Sequence, residues 1–253
     1  MVLATSRNQT PIVTWEKLPD DFILPDEPVE NLQQPTIAAA LTDALGAANR
    51  IQPQMLIAVN FALVATVNQK NVVKAPDWLY VPNVLPVGTG VIRRSYTPNI
   101  EGSAVAVVME FLSDADNTEY SIRPTFPYGK LYFYEQILKV PTYVIFNPYE
   151  LTLEVRCLQN NQYVLQEASE LGRYWIPELE LFLGIWQGTR LGLNIDWLRW
   201  WDEAGNLLLW SSEQVELEKQ RAEAAVAELE SERQKKELFA AKLRELGVNP
   251  DLI

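Results

Sequence analysis

Apolar and polar positions recur with two different periods along this chain, and the switches between them outline its elements. From Thr36 to Asn49, the residues Ile37, Leu41, Ala44, Leu45 and Ala48 fall on one face of an amphipathic helix. Two β-rich runs follow, Met55–Val67 and Val72–Val81, and the polar turn NQKN between them predicts a hairpin. A loop marked by Pro82, Pro86, Gly88, Gly90 and Pro98 leads into AVAVVMEFL (Ala104–Leu112). That run is apolar on both faces until Glu110, the pattern of a central strand covered on both sides. A second helix is expected over Pro127–Lys139, with Lys130, Tyr134 and Ile137 on one stripe, ending before Pro141. Thr142–Phe146, Leu151–Leu158 and Tyr163–Glu167 read as three further strands, with turns at NPYE and QNNQ.

A Trp-rich stretch from Tyr174 to Trp210 contains the hairpin signal DEAGN. From Glu213 to Leu246 the chain is charged, Ala-rich and free of glycine, which predicts one long helix. In one heptad phase Ala222, Ala225, Leu229, Glu232, Lys236, Phe239, Leu243 and Leu246 take the core positions, with the two polar residues in mid-seam. Two readings stand for this tail: a coiled coil joining two copies through residues 213–246, or a solvated single helix. Before the first helix, Pro11, Pro19, Pro25, Pro28 and Pro35 suggest an extended lead-in. The expected organisation is a lead-in over 1–35, an α+β domain over 36–212 and a charged helical tail over 213–253.

Composition narrows the chemistry. The 253 residues are 48% hydrophobic with 8 tryptophans, ample for a real core. There is no histidine and there is 1 cysteine, which excludes His-based triads, His-ligated zinc and thiolate clusters within one chain. No GxxxxGK[ST] or GxGxxG occurs, so no recognisable nucleotide cradle is present. Any reactive centre must use carboxylates, Lys, Arg, Ser, Thr or Tyr, and carboxylates are hard ligands suited to Mg²⁺ or Mn²⁺. The opening residues MVLATSRNQT show no signal-peptide pattern, and the run Met55–Val67, broken by Asn60 and Thr66, is too short to span a bilayer. With the lone Cys157, these features predict a soluble, cytoplasmic protein. Cys157 shares a parity with Leu153 and Val155 and reads as a core thiol.

The formal net charge is −12, and the tail from Glu213 onward holds 7 basic against 10 acidic residues. The body is therefore acidic too, and any basic footprint for nucleic acid must be local. Against that background two carboxylates stand out. Asp77, in VVKAPDWLYV, shares a face with Val73, Leu79 and Val81, and Glu110 closes a run of apolar residues. Carboxylates turned into a core are costly unless paired, protonated or bound to a cation. They therefore form either a reactive, cation-binding pair or a structural one, hydrogen-bonded at strand ends or paired with Arg93, Arg94 or Arg123.

The ordered set PD (Pro76-Asp77), MEFLS (Met109–Ser113), GKLYFYEQ (Gly129–Gln136) and VPTYVIFNP (Val140–Pro148) resembles the Uma-two family. That family lies within the PD-(D/E)-x-K, restriction-endonuclease-like superfamily, and the resemblance covers about residues 12 to 190. It implies a mixed central sheet flanked by helices, and Mg²⁺- or Mn²⁺-dependent cleavage of nucleic acid, most readily DNA. By the same resemblance Asp77 and Glu110 match the two metal-binding acids, and Lys130 matches a catalytic lysine, with Tyr134 one turn on. Glu30, in PVENLQQP, matches an acidic residue before the first helix. Two departures are visible: Leu112 stands where the superfamily has its lysine, and the histidine often found near the first helix is missing.

Other features admit two readings each. The tryptophans between 175 and 210 fit packing, or stacking on bases. Arg93 and Arg94, in the loop between the acid-bearing strands, fit a phosphate contact or a solvated pair, and Lys130 fits a catalytic charge or a solvated helix lysine. At the level of function, a metal-dependent endonuclease stands against a catalytically silent member of the fold that acts as a scaffold through its helical tail.

Overall fold

The computed structural model describes residues 12–17, 19, 32–112 and 118–245. The chain divides into two units, residues 1–208 and residues 209–253. In chain order the first unit contains β1 (Val13–Thr14), α1 (Gln33–Ala47), β2 (Leu56–Ala58), β3 (Ala62–Val67), β4 (Lys70–Lys74), β5 (Trp78–Val81), β6 (Ser95–Tyr96) and β7 (Val107–Phe111). A 3₁₀ turn (Thr118–Tyr120) and the short helix α2 (Lys130–Tyr132), which widens into a π turn (Phe133–Ile137), precede β8 (Thr142–Asn147), β9 (Thr152–Gln159) and β10 (Gln162–Leu165). The unit closes with β11 (Tyr174–Ile176), β12 (Leu181–Arg190) and β13 (Leu193–Trp201). The second unit is dominated by α3 (Ser211–Glu245).

The six-stranded sheet, ordered β10-β9-β8-β7-β5-β2, is the centre of the first unit. Only β7 and β8 run parallel in it, so the sheet is mixed. The whole of β7 is buried, as its two-faced apolar run requires. A smaller sheet is built on β3, which pairs with β4 and β1 antiparallel and with β6 in parallel. The third sheet is the meander β11-β12-β13. Together these elements make the α+β, restriction-endonuclease-like architecture that the motif order implied.

Each apolar run expected as one hairpin arm carries two strands instead. The hairpin itself is real: β3 and β4 are joined at Asn68 and Gln69, whose φ angles of 48° and 64° suit the twist of a tight two-residue turn. On its outer sides, however, the chain leaves this sheet. Asn60 sits in the left-handed region at φ 47°, and Pro76, which cannot donate to a ladder, interrupts the second run. Beyond these breaks β2 and β5 join the six-stranded sheet. The break at Pro76 is what delivers Asp77 to the start of a strand beside β7.

The second helix is also shorter than its apolar stripe suggested. Pro127 and Gly129 keep the chain extended up to Lys130, and Lys139 ends the turn at φ 53°. Lys130 and Tyr134 remain one turn apart, so the stripe survives the change of helix type. Cys157 is half-buried, not a core thiol: it lies opposite Val164 of the edge strand β10, which is 46% exposed. It meets Gln166 Nε2 and the Thr142 hydroxyl, the latter at 3.9 Å.

Helix α1 is held between the large sheet and the meander. Trp78 of β5 donates its indole N–H to Thr42 Oγ1 at 3.0 Å, and Trp200 of β13 donates to the Leu41 carbonyl at 3.2 Å. The two indoles lie 6.1 Å apart, and Arg190 reaches Asp43 at 2.9 Å. Trp197, Trp200 and Trp201 are all buried, so packing accounts for this part of the Trp-rich stretch. The lead-in falls largely outside the described residues, though Val13–Thr14 is a strand. In the second unit α3 runs 35 residues without a buried side chain. No described helix is long and apolar enough to cross a membrane.

Trp200 is the buried bond between the meander and α1, beside the more exposed Arg190–Asp43 pair. Trp200→Ala should lower unfolding stability by about 3–5 kcal/mol, since it removes a buried indole and leaves a cavity between the meander and α1. Urea melts of the two proteins check this, and an unchanged midpoint would mean the meander docks by other contacts.

Candidate active site

The β5–β7 register decides where the two acids meet. Trp78 pairs with Met109 and Leu79 with Val108, so one step outward Asp77 stands opposite Glu110. Side chains alternate along a strand, which puts both carboxylates on the face that carries Leu79, Val108 and Leu112. Asp77 Oδ2 accepts the Phe111 N–H at 2.6 Å, tying the start of one strand to the end of the other. Glu110 is 1% exposed, in the middle of the large sheet.

Helix α2 covers that face and brings Glu110 its partners. Lys130 Nζ lies 3.2 Å from Glu110 Oε2, and the Tyr134 hydroxyl donates to Oε1 at 2.7 Å. The same ammonium lies 3.3 Å from Glu119 Oε1, on the 3₁₀ turn. Lys130 is therefore a paired and mostly buried lysine rather than a solvated one. Glu119 was invisible in the sequence, because the polar run around it has no period to mark which acid turns inward. Its backbone carbonyl accepts from Tyr143 OH at 3.0 Å, and Tyr143 packs on Tyr134 with ring centroids 5.2 Å apart. Gly129 allows the close approach: a Cβ there would overlap the backbone of Ser121, which also accepts the Tyr132 N–H at 3.3 Å.

Burial governs the proton count here. Desolvation pushes Asp77 up to about 6, against the lowering influence of the Phe111 N–H and Lys130. Desolvation pushes Glu110 further, to about 8, with Asp77 adding to the rise and Lys130 and Tyr134 opposing it. For Lys130 burial favours the neutral amine, but Glu110, Glu119 and Asp77 together outweigh it and hold the ammonium above its usual range. Burial and the neighbouring Glu110 raise the Tyr134 hydroxyl well above normal, so it stays a donor. Near neutral pH the facing carboxyls share one negative charge or two, and they titrate as a pair.

Among the described residues no three Asp, Glu or Cys side chains group as a metal-binding cluster. The oxygens at hand are the two carboxylates and the Phe111 carbonyl, which accepts a hydrogen bond from Gln34 Nε2 of α1 at 2.6 Å. A carbonyl has a second lone pair, and an all-oxygen set of this size suits Mg²⁺, which keeps several waters. Buried acids raised by desolvation are also relieved by a cation, and Glu119 Oε2 is buried without a hydrogen-bond partner. The residues fit a hard divalent ion.

The remaining candidates lie elsewhere. Arg93 is committed internally: it pairs with Glu101 at 2.8 Å, donates to the Leu85 carbonyl at 2.6 Å and lies over the Tyr96 ring. Its guanidinium thus has three internal partners. Arg94 is exposed on the same loop. Arg123 bonds Thr125 and the Phe126 carbonyl, so none of the three arginines is bonded to the acids, whose cation is Lys130. Leu112 is 5% exposed in the core, with no charge for a phosphate. Glu30 lies outside the described residues.

Two outcomes follow from this geometry. A carboxyl raised on folding holds its proton while the unfolded chain has lost its own, so the fold loses stability as pH rises from about 4 to about 8. The raised Lys130 acts only above that window. With no histidine in the chain, little else titrates between pH 5.5 and 7.5. Unfolding free energies from urea melts should fall across that range without added metal, by on the order of 3 kcal/mol, and Glu110→Gln should flatten most of the slope. A parent profile as flat as the variant's would contradict the shared burial. Separately, Gly129→Ala should displace the 3₁₀ turn and part Glu119 from Lys130, at a cost of about 1–3 kcal/mol, read by thermal melts.

No curated protein matches the chain. A family model does match, over residues 12–195, a span that takes in every element from β1 through β12 and all four residues of the carboxylate–lysine cluster. The chain belongs to the Uma2 family, whose description is "Putative restriction endonuclease".

Proposed function

We propose that this chain is a divalent-metal-dependent endonuclease that hydrolyses phosphodiester bonds in nucleic acid, with DNA the expected substrate. The observation that carries the reading is the meeting of Asp77 and Glu110 across adjacent strands, with Lys130 at 3.2 Å from Glu110. Asp77, Glu110 and the Phe111 carbonyl would hold Mg²⁺ or Mn²⁺. The chemistry such an ion supplies when bound is neutralisation of phosphate charge and acidification of a coordinated water.

The chain's own residues do the rest. Binding of the ion requires both carboxyls to be ionised, so the dyad releases its proton at that moment. Phe111 N–H keeps Asp77 turned toward Glu110, and the Tyr134 hydroxyl fixes the Glu110 carboxylate. Lys130, still charged and anchored by Glu119, presents a preorganised ammonium to the charge that develops on phosphorus oxygens. It stands at the start of α2, while Leu112 fills the strand position.

A second reading is favoured by the burial of Glu110 and the engagement of both its oxygens by Lys130 and Tyr134. A closed, charge-compensated network is what a structural ion pair looks like, and the chain would then be a silent scaffold. Metal titration separates the two. For the enzyme, Mn²⁺ or Mg²⁺ raises the melting temperature of the parent by mass action, more at pH 8 than at pH 6. Asp77→Asn and Glu110→Gln abolish that gain. Lys130→Ala keeps the thermal gain but cuts plasmid or single-strand cleavage roughly 100- to 1,000-fold. Equal metal response in the parent and both acid variants, with no cleavage by any of them, assigns the cluster to the scaffold.

A further inference from the structure

Among the described residues of its own unit, helix α3 presents a long face with no partner. It spans 35 residues, about 50 Å of axis, and none of its side chains is buried. Leu229 and Phe239 are 67% and 64% exposed. The ion pairs on this helix are local, Arg221 with Glu218 at 2.7 Å and Arg233 with Glu237 at 3.1 Å. Glu232 and Lys236 are four residues apart, with the acid first, the spacing at which a helix pairs them. Neither makes an ion pair or hydrogen bond with any described residue. Both lie on the heptad seam, in line with Ala225, Leu229, Phe239 and Leu243.

A seam with one acid and one base at its middle is complementary to itself only when reversed. We propose that α3 pairs with α3 of a second copy in an antiparallel coiled coil whose two-fold axis passes at Gln234. In that register Glu232 faces Lys236 of the second copy, twice over. Leu229 then faces Phe239, and Ala225 faces Leu243, so small sits against large on each layer. A parallel pair sets Glu232 against Glu232 and Lys236 against Lys236, two like-charge layers inside the seam. Slipping the antiparallel register by one heptad either way puts a charge against Leu229 or Leu243. One alignment alone pairs charge with charge and apolar with apolar.

The flanking positions agree in the balance of signs. Glu228 comes beside Lys242 of the second copy on both sides of the axis. Arg233 and Lys235 approach their own copies at the axis, but on the solvated flanks, where like charges cost little in salt. Arg233 also carries Glu237 with it. The parallel arrangement gains Glu228 near Arg233 on its flanks, and those exposed pairs do not offset two like-charge layers in the seam. The charged middle makes the pairing modest in affinity and strict in direction, the known use of polar residues at such positions.

The test uses the full chain. Sedimentation equilibrium up to about 100 μM chain, a concentration that reports micromolar association, should show a dimer. Glu232→Lys and Lys236→Glu should each weaken it roughly tenfold or more, and the double exchange should return it to within a few-fold of the parent. In a Cys157→Ser background, a spin label at Gln220→Cys should read about 40 Å between copies, from 1.5 Å of rise per residue on each side of the axis. A monomeric parent, single exchanges without effect, or a label distance under about 20 Å, expected of parallel helices packed 8–10 Å apart, would each overturn the antiparallel pair.

Discussion

The burial of Glu110 in the central strand is the constraint around which the first unit is organised. A carboxyl at 1% exposure loses nearly all its hydration, and its neighbours must supply what water did. Lys130 and Tyr134 do so from one helix turn, and that turn must therefore lie flat on the β7 face. Tyr134 in turn packs on Tyr143 of β8, and Tyr143 holds the turn that carries Glu119. The helix over the sheet, with Lys130 and Tyr134 one turn apart, and the close contact at Gly129 converge on one buried carboxyl.

Asp77 shows how the sheet pairing itself builds chemistry. A two-residue step either way in the β5–β7 register would separate the acids while leaving the apolar faces matched. The Phe111 N–H to Asp77 bond pins the register at the position where they meet. Burial of the pinned pair raises both protonation constants, because a dry site disfavours the charged forms, and Asp77 adds to the rise of Glu110. A divalent cation and a shared proton are alternative answers to one electrostatic problem. In a chain without histidine, this dyad is where proton exchange near neutral pH concentrates.

Much of this was legible in the residues. Period-two and period-3.6 patterns located β7, β8, β9, α1 and α3 within a few positions, because each buries one face or two and local alternation records that burial. The parity of Asp77 with Leu79, and the placement of Glu110 at the end of an apolar run, marked both acids as inward-facing. The hairpin turn at Asn68 and Gln69 was visible from residues that tolerate the left-handed region. By contrast, the split of each apolar run between two sheets left only Asn60 and Pro76 as signs, and neither states which sheet the chain joins next.

The sequence by itself determined which side-chain types are available for chemistry, the inward direction of Asp77 and Glu110, and the helical tail. Composition and periodicity are local properties, and those conclusions needed nothing more. The motif resemblance grouped Lys130 with the two acids, but tertiary structure alone decided that it pairs directly with Glu110, that Glu119 completes the cluster, and that Arg93 is tied to Glu101 and Leu85. It also decided that Gln34 reaches the Phe111 carbonyl across 77 residues of chain. Each of these is a contact between separate elements, which periodicity within one element does not record. Which partner a buried charge finds depends on where the fold closes, and that is set by the packing of the apolar faces around it.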